Sequence, residues 1–152
     1  MARERLEGTS GFEGVVVAER LPSELPDGAF DVVLLIEIVE RLLDEQIAPT
    51  FAEVRRLLAP GGSVVITTPY AEPVEQRYVR CPDCGATFHR WQHVRSLDAA
   101  SGRELLAENG LEPSRAEGVF WGLSRLQLLR HRLSRRPWPH LLLVGVKPGG
   151  GR

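Results

Sequence analysis

Only two cysteines, Cys81 and Cys84, occur in 152 residues, too few to staple a secreted domain, so the pair points to a metal or to redox chemistry. No apolar run approaches the roughly 20 residues that a membrane-spanning helix needs. The opening Met1-Ala2-Arg3-Glu4-Arg5 is charged where a secretory signal would be apolar, so no membrane partner is expected and the expected location is cytoplasmic. Lysine is almost missing: 18 arginines stand against Lys147. Those arginines are not interleaved with aromatic residues, the pattern of a single-strand-binding surface, so a nucleic-acid partner is not indicated. Internal repeats are also absent, which excludes a solenoid.

What the chain does have is the composition of a folded globular domain, 43% apolar and 26% charged, which excludes disorder and fibrous repeats. Its net charge of −1 hides a gradient. Residues 1–75 carry 14 acidic against 6 basic side chains, and residues 113–152 carry 8 basic against Glu117 alone. A solvated basic helix explains the second group, although an anionic partner or attraction between the two halves would also produce it.

Periodicity places the elements. Val15-Val16-Val17 is a short apolar run and Phe30 to Val39 a longer one. Continuous rather than alternating apolarity marks strands buried on both faces, as in a parallel sheet. Ile47, Phe51, Val54, Leu57 and Leu58 recur at helical spacing, and Ala59-Pro60-Gly61-Gly62 stops that helix. A further strand, Ser63 to Thr68, is closed by Pro69. Residues 70–95 are polar and aromatic with no sustained period and read as an insertion within a single domain, 1–152. A helix is predicted from about Asp98 to Asn109, with Leu105 and Leu106 inward and Gly110 as its stop. Gly118 to Trp121 reads as a strand, Leu123 to Arg135 as a basic amphipathic helix, and His140 to Val146 as a last strand. Alternating strands and helices predict an α/β fold with a mostly parallel sheet.

Three stretches carry a family resemblance. Leu25-Pro26-Asp27-Gly28-Ala29-Phe30-Asp31-Val32-Val33, then Glu37-Ile38-Val39-Glu40, then Val54 through Pro60-Gly61-Gly62 to Pro69 resemble the second half of class I S-adenosylmethionine-dependent methyltransferases. The likeness runs over roughly residues 12 to 147. It implies a Rossmann-like sheet, truncated to about its C-terminal two thirds, in which the Phe30 strand is the fourth of the family's seven, the Pro60-Gly61-Gly62 turn leads to the fifth, and the last two strands form an antiparallel pair at the edge. It also implies S-adenosylmethionine as cofactor and methyl transfer to an unidentified acceptor. Ile36 and Glu37 would line the cleft at the carboxyl edge of the sheet, and Glu19 would lie near the adenine. Glu40-Arg41 stands where many relatives have Glu-His. For each acid the alternative is a solvated carboxylate.

The family's Gly-rich turn after its first strand, and the acidic residue that ends its second, have no counterpart here. Gly8-Thr9-Ser10-Gly11-Phe12-Glu13-Gly14 follows no strand and opens no helix, so it reads as a linker. The chain alone is therefore expected to hold the cofactor weakly, and either to self-associate or to need a partner chain that supplies the missing half.

Within the insertion, Cys81-Pro82-Asp83-Cys84-Gly85 followed by His89 and His93 gives the spacing Cys-x2-Cys-x4-His-x3-His. Two thiolates converge in such a turn, Gly85 relieves it, and His89 and His93 share a face if the segment is helical. Four such ligands suit structural, tetrahedral zinc, and the order resembles a zinc knuckle. A redox pair is the alternative for the cysteines, although no thioredoxin-like strand-to-helix context precedes them. Packed or substrate-facing roles are the alternative for the histidines. Three functions follow: a methyltransferase, a subunit of a split methyltransferase, or a non-catalytic zinc-binding interaction domain.

Overall fold

In the computed structural model, which describes residues 5–120 and 139–149, the sheet grows out of the Pro60-Gly61-Gly62 turn. Helix α1 (Asp44–Leu57) passes directly into strand β2 (Leu58–Pro69). Gly62 lies so close to the preceding strand that an added Cβ would stand 2.9 Å from the Ala59 carbonyl oxygen and 3.0 Å from that of Asp31. Backbone cannot give way as a side-chain tip can, so glycine at this position is what lets β2 close against β1 (Phe30–Ile36). The two strands run parallel, with Leu35 opposite Ile66 and Ile36 opposite Thr67.

Helix α2 (Ala99–Glu108) starts at Asp98, whose carboxylate accepts the N–H groups of Ala100 at 3.0 Å and Ser101 at 2.8 Å. It stops at Gly110, which takes a left-handed φ of 71°. Strands β5 (Glu112–Val119) and β6 (His140–Val146) follow. β6 enters the sheet between β2 and β5, antiparallel to both, giving the order β1-β2-β6-β5. Alternate residues of β1, β2 and β6 face one core. Leu35, Val64, Ile66, Leu141 and Leu143 pack there with Phe51 and Val54 of α1 and with Leu105 and Leu106 of α2. Phe51 and Val54 lie one helical turn apart, which puts both on the face turned toward the sheet.

Along α1 a polar clamp ties down the chain before β1. Glu53 Oε1 accepts the Ser23 hydroxyl at 2.6 Å and its N–H at 3.0 Å, while Arg56 donates to Glu53 at 2.8 Å, to the Leu25 carbonyl at 2.7 Å and to Asp27. The Arg56 guanidinium holds the Glu53 carboxyl down to about 2, against the opposing effect of burial.

Five expectations need correction. The sheet is not mostly parallel: one of its three pairings is parallel, because the two late strands supply both antiparallel ones. Val15 to Val17 form no strand. Val16 and Val17 are 60% and 83% exposed, and the run joins neither sheet. The Phe30 strand stops at Ile36, and Val39 belongs to a 3-10 turn, Val39–Arg41. The strand expected at Gly118 to Trp121 is instead β5, six residues earlier, and Trp121 lies outside the described residues together with the basic helix read at Leu123 to Arg135. The strand expected at Ser63 to Thr68 begins earlier, at Leu58, a residue that spacing assigns to the helix; the helix from Asp98 and the last strand lie where the periodicity places them, and Gly8 to Gly14 is irregular chain.

Candidate functional site

Parallel strands β1 and β2 end on the same side of the sheet, where the chain leaves each one for a loop and where ligands bind in open α/β folds. Immediately after β1, Glu37 adopts a φ of 53°, a left-handed conformation uncommon for a residue with a Cβ, and its N–H donates to the Thr67 carbonyl at 2.9 Å. A hollow of about 420 Å³ opens beside it, lined by Ile36, Glu37, Val65, Thr67, His140 and Leu142. His140 Nδ1 stands 3.6 Å from Glu37 Oε1 at the rim. Apolar walls with a carboxylate and an imidazole at the mouth match what a flat heteroaromatic group with hydroxyls requires. Ile36 and Glu37 both line this hollow. Glu19 does not join them: it lies in a separate hollow walled by its own segment, from Val16 to Glu24. No Gly-rich turn joins a strand to a helix among the described residues.

The segment read as an insertion, residues 70–95, lies between the end of β2 at Pro69 and the cap of α2 at Asp98. It contains a small antiparallel hairpin, β3 (Tyr78–Arg80) and β4 (Thr87–His89), with Tyr78 opposite His89. Cys81 and Cys84 occupy the tip of that hairpin. Cys81 donates its N–H to Ala86 at 2.8 Å, Gly85 donates to the Cys81 carbonyl at 3.0 Å, and Gly85 takes the left-handed φ of 72° that its turn requires. Backbone N–H groups of Cys84 and Asp83 lower the Cys81 thiol from its ordinary range.

His89 sits at the other end of the ladder. Three residues of strand, about 10 Å at 3.3 Å per residue, separate its partner Tyr78 from Cys81. The expected quartet is therefore divided between the two ends of the hairpin. Nor is the histidine segment helical: His89 ends β4, and Gln92 turns the chain with a φ of 62° so that the two rings stack, centroids 4.6 Å apart.

At that stacked end two carboxylates appear that the sequence did not single out as ligands. Glu72, on the loop after β2, lies 2.5 Å through Oε2 from His93 Nδ1 and 3.7 Å through Oε1 from His89 Nε2. Glu40, on the turn after β1, lies 3.9 Å from His93 Nε2. Ligand atoms of Glu72, His89 and His93 converge within 4.8 Å. Glu40 is 1% exposed, which corrects its reading as a solvated carboxylate. The segment is pinned back onto that turn by Val94, whose N–H donates to the Glu40 carbonyl at 2.8 Å, and by Arg41, which donates to the Trp91 carbonyl at 2.5 Å. Burial pushes the His89 imidazole below its ordinary range, Glu72 opposing.

Residues 6–115 match the family described as Methyltransferase domain. The chain belongs to that family. A protein of Mycolicibacterium smegmatis named a probable S-adenosylmethionine-dependent methyltransferase is 30% identical over 134 residues, a stretch covering 80% of this chain and 49% of that protein. The chain thus spans about half the length of this curated relative. Among solved structures, a SAM-dependent methyltransferase from Aquifex aeolicus superposes with a TM-score of 0.57 at 15% identity, over 94% of this chain and 60% of its own. A Burkholderia thailandensis 1,6-didemethyltoxoflavin N1-methyltransferase with bound S-adenosylhomocysteine gives 0.56 at 15%, over 80% and 45%. These likenesses establish the methyltransferase-like α/β fold. Among the described residues no helix is long and apolar enough to cross a membrane.

Glu72 carried no sequence signal beyond being an acid just past a strand end. Glu40 did carry one, since it lies in the stretch Glu37-Ile38-Val39-Glu40 that bears the resemblance, yet its burial depends on the insertion folding back over it.

Proposed function

We propose that this methyltransferase domain transfers a methyl group from S-adenosylmethionine to an acceptor held at the same edge of the sheet, with Ile36 and Glu37 lining the donor side. The observation that carries the reading is Glu37, held left-handed by its hydrogen bond to Thr67 beside an apolar hollow at the carboxyl end of β1. When bound, S-adenosylmethionine supplies an electrophilic methyl on sulfonium. The residues here fix the donor's orientation, and placing donor and acceptor in line is the main source of rate for such a transfer. Glu19 is the weakest of the three cofactor residues, because its own loop separates it from the hollow. Calorimetric titration with S-adenosylhomocysteine tests the reading: weak but saturable binding is expected, reduced about tenfold, equivalent to ~1.4 kcal/mol, by Glu37→Ala. No saturable binding, or binding indifferent to Glu37→Ala, overturns it.

A partner chain or a second copy belongs to the same reading, as does a cytoplasmic location. β1 ends the described sheet with Val32, Leu34 and Ile36 exposed, and an open apolar strand of this kind is an association surface. Zinc also belongs to it, as a clasp for the insertion. His89 and His93 are the part of the expected quartet gathered in one place, and Cys81 and Cys84 form a separate thiol pair at the hairpin tip.

A further inference from the structure

The four buried groups at the stacked end of the hairpin do not satisfy one another. His89 Nδ1 accepts the backbone N–H of His93 at 3.1 Å and that of Trp91 at 3.3 Å, so the neutral ring carries its proton on Nε2. That Nε2 has no hydrogen-bond partner, although it points toward Glu72 Oε1. His93 Nδ1 lies 2.5 Å from the other Glu72 oxygen, a hydrogen bond in which the ring donates. With its proton on Nδ1, His93 presents the Nε2 lone pair to Glu40, whose two oxygens have no hydrogen-bond partner and whose nearest cation, the Arg41 Nε, stands 3.5 Å away. Two electron-pair donors therefore face each other across 3.9 Å of buried space with nothing between them to accept. A buried carboxylate is costly unless it is both paired and hydrogen-bonded, and Arg41 at 3.5 Å supplies charge without a hydrogen bond.

We infer that the gap between His93 Nε2 and the Glu40 carboxylate is a site for a divalent cation of the zinc class. Zinc bonds of about 2.0–2.1 Å to nitrogen and about 2.0–2.2 Å to a carboxylate oxygen span that separation. The mixed imidazole and carboxylate set is borderline in softness and suits zinc, iron(II) or manganese better than magnesium or calcium. Glu72 takes the place of the outer carboxylate that accepts the remaining N–H of a metal-bound histidine and fixes its tautomer. His89 stacks on His93, and its Nε2 stands 3.7 Å from Glu72 Oε1, too far for a hydrogen bond. The tighter convergence of Glu72, His89 and His93 is not itself the cage: its shortest contact is already a hydrogen bond, and the His89 lone pair is turned toward the backbone.

The site joins the turn after β1 to the loop after β2, so it lies on the same edge as the hollow at Glu37. The inference rests on the zinc part of the proposed function: it keeps His93 as a ligand and puts the Glu40 carboxylate, supported by Glu72 on the far side of the ring, in place of the two thiols. It does not depend on methyl transfer.

Titration of chelator-treated protein with zinc chloride alone, followed by calorimetry, tests it. One equivalent is expected to bind. Glu40→Gln and His93→Ala should each weaken binding at least 100-fold, and Glu72→Gln about 10- to 100-fold. The paired change Cys81→Ala with Cys84→Ala should leave it within threefold. Glu40→Gln preserves shape, and its circular dichroism and thermal transition, compared with wild type, keep the test valid if His93→Ala does not fold. Loss of zinc in the double cysteine variant with binding intact in Glu40→Gln would overturn the carboxylate site and restore the thiol shell. No binding in any form, with nitrogen NMR showing His93 protonated on both ring nitrogens, would overturn both metal readings. The S-adenosylhomocysteine titration would be untouched by either result.

Discussion

Phe51, Leu106 and Leu143 lose all contact with solvent in the sheet's core, whereas the insertion seals in His89 at 3% and His93 at 7% exposure together with the carboxylates that face them. Burial in the first region is favourable in itself, since each apolar side chain contributes about 1.5–3 kcal/mol by leaving water. Burial in the second is a cost that only hydrogen bonds, charge pairing or a bound cation can offset. The apolar core of the sheet should therefore depend little on pH or metal, apart from the Glu53 clamp on α1. The insertion should depend on pH, on metal and on the few contacts that pin it over the Val39–Arg41 turn.

The largest effect that would sharpen this contrast is Phe51→Ala. Removing a fully buried ring should cost about 3–5 kcal/mol and lower the urea midpoint of the whole domain. Should the domain survive with its midpoint unchanged, α1 would not be part of the core at all. Smaller, about 1–3 kcal/mol, is the expected loss for Glu53→Gln, which breaks charged hydrogen bonds to Arg56 and Ser23.

That variant also has a pH signature. The Glu53 carboxyl is held at about 2 against an ordinary 4.5, so its contribution is complete above 4.5 and is lost as pH falls from there toward 2. Wild type should lose stability in that window, and Glu53→Gln should lose less. Equal slopes would show that the clamp holds no charge in the native state.

The smallest effect on stability, within about 0.5 kcal/mol, is expected for Leu34→Lys on the exposed face of β1. Light scattering across a dilution series should nevertheless show less association than wild type. A wild-type monomer at every concentration would mean that the apolar strand is not a docking surface.

Most of the sheet's layout was legible because it depends on local chemistry. The apolar run from Phe30, the helical spacing of Ile47, Phe51 and Val54, the glycines at 61, 62 and 110 and the cap at Asp98 each act within a few residues of themselves. Val15 to Val17 failed by the same logic turned around. Three β-branched residues favour a strand, but the run is not part of either sheet. The direction of the sheet was misjudged because pairing partners come from residues 58 to 146, far beyond any window of periodicity.

The candidate site divided along the same line. Spacing by itself selected His89 and His93 as a pair and the Cys81-to-Cys84 turn as another, and resemblance pointed to Glu37 at a strand end. Only the tertiary structure decided that the two pairs sit at opposite ends of a hairpin, and that Glu40 and Glu72, 32 residues apart in sequence, close on His93 instead. The physical reason is that hydrophobic pattern is written residue by residue, whereas the environment of a buried charge is composed by whichever loops end at the same edge of the sheet. Strands β1 and β2, running parallel and side by side, bring those loops together.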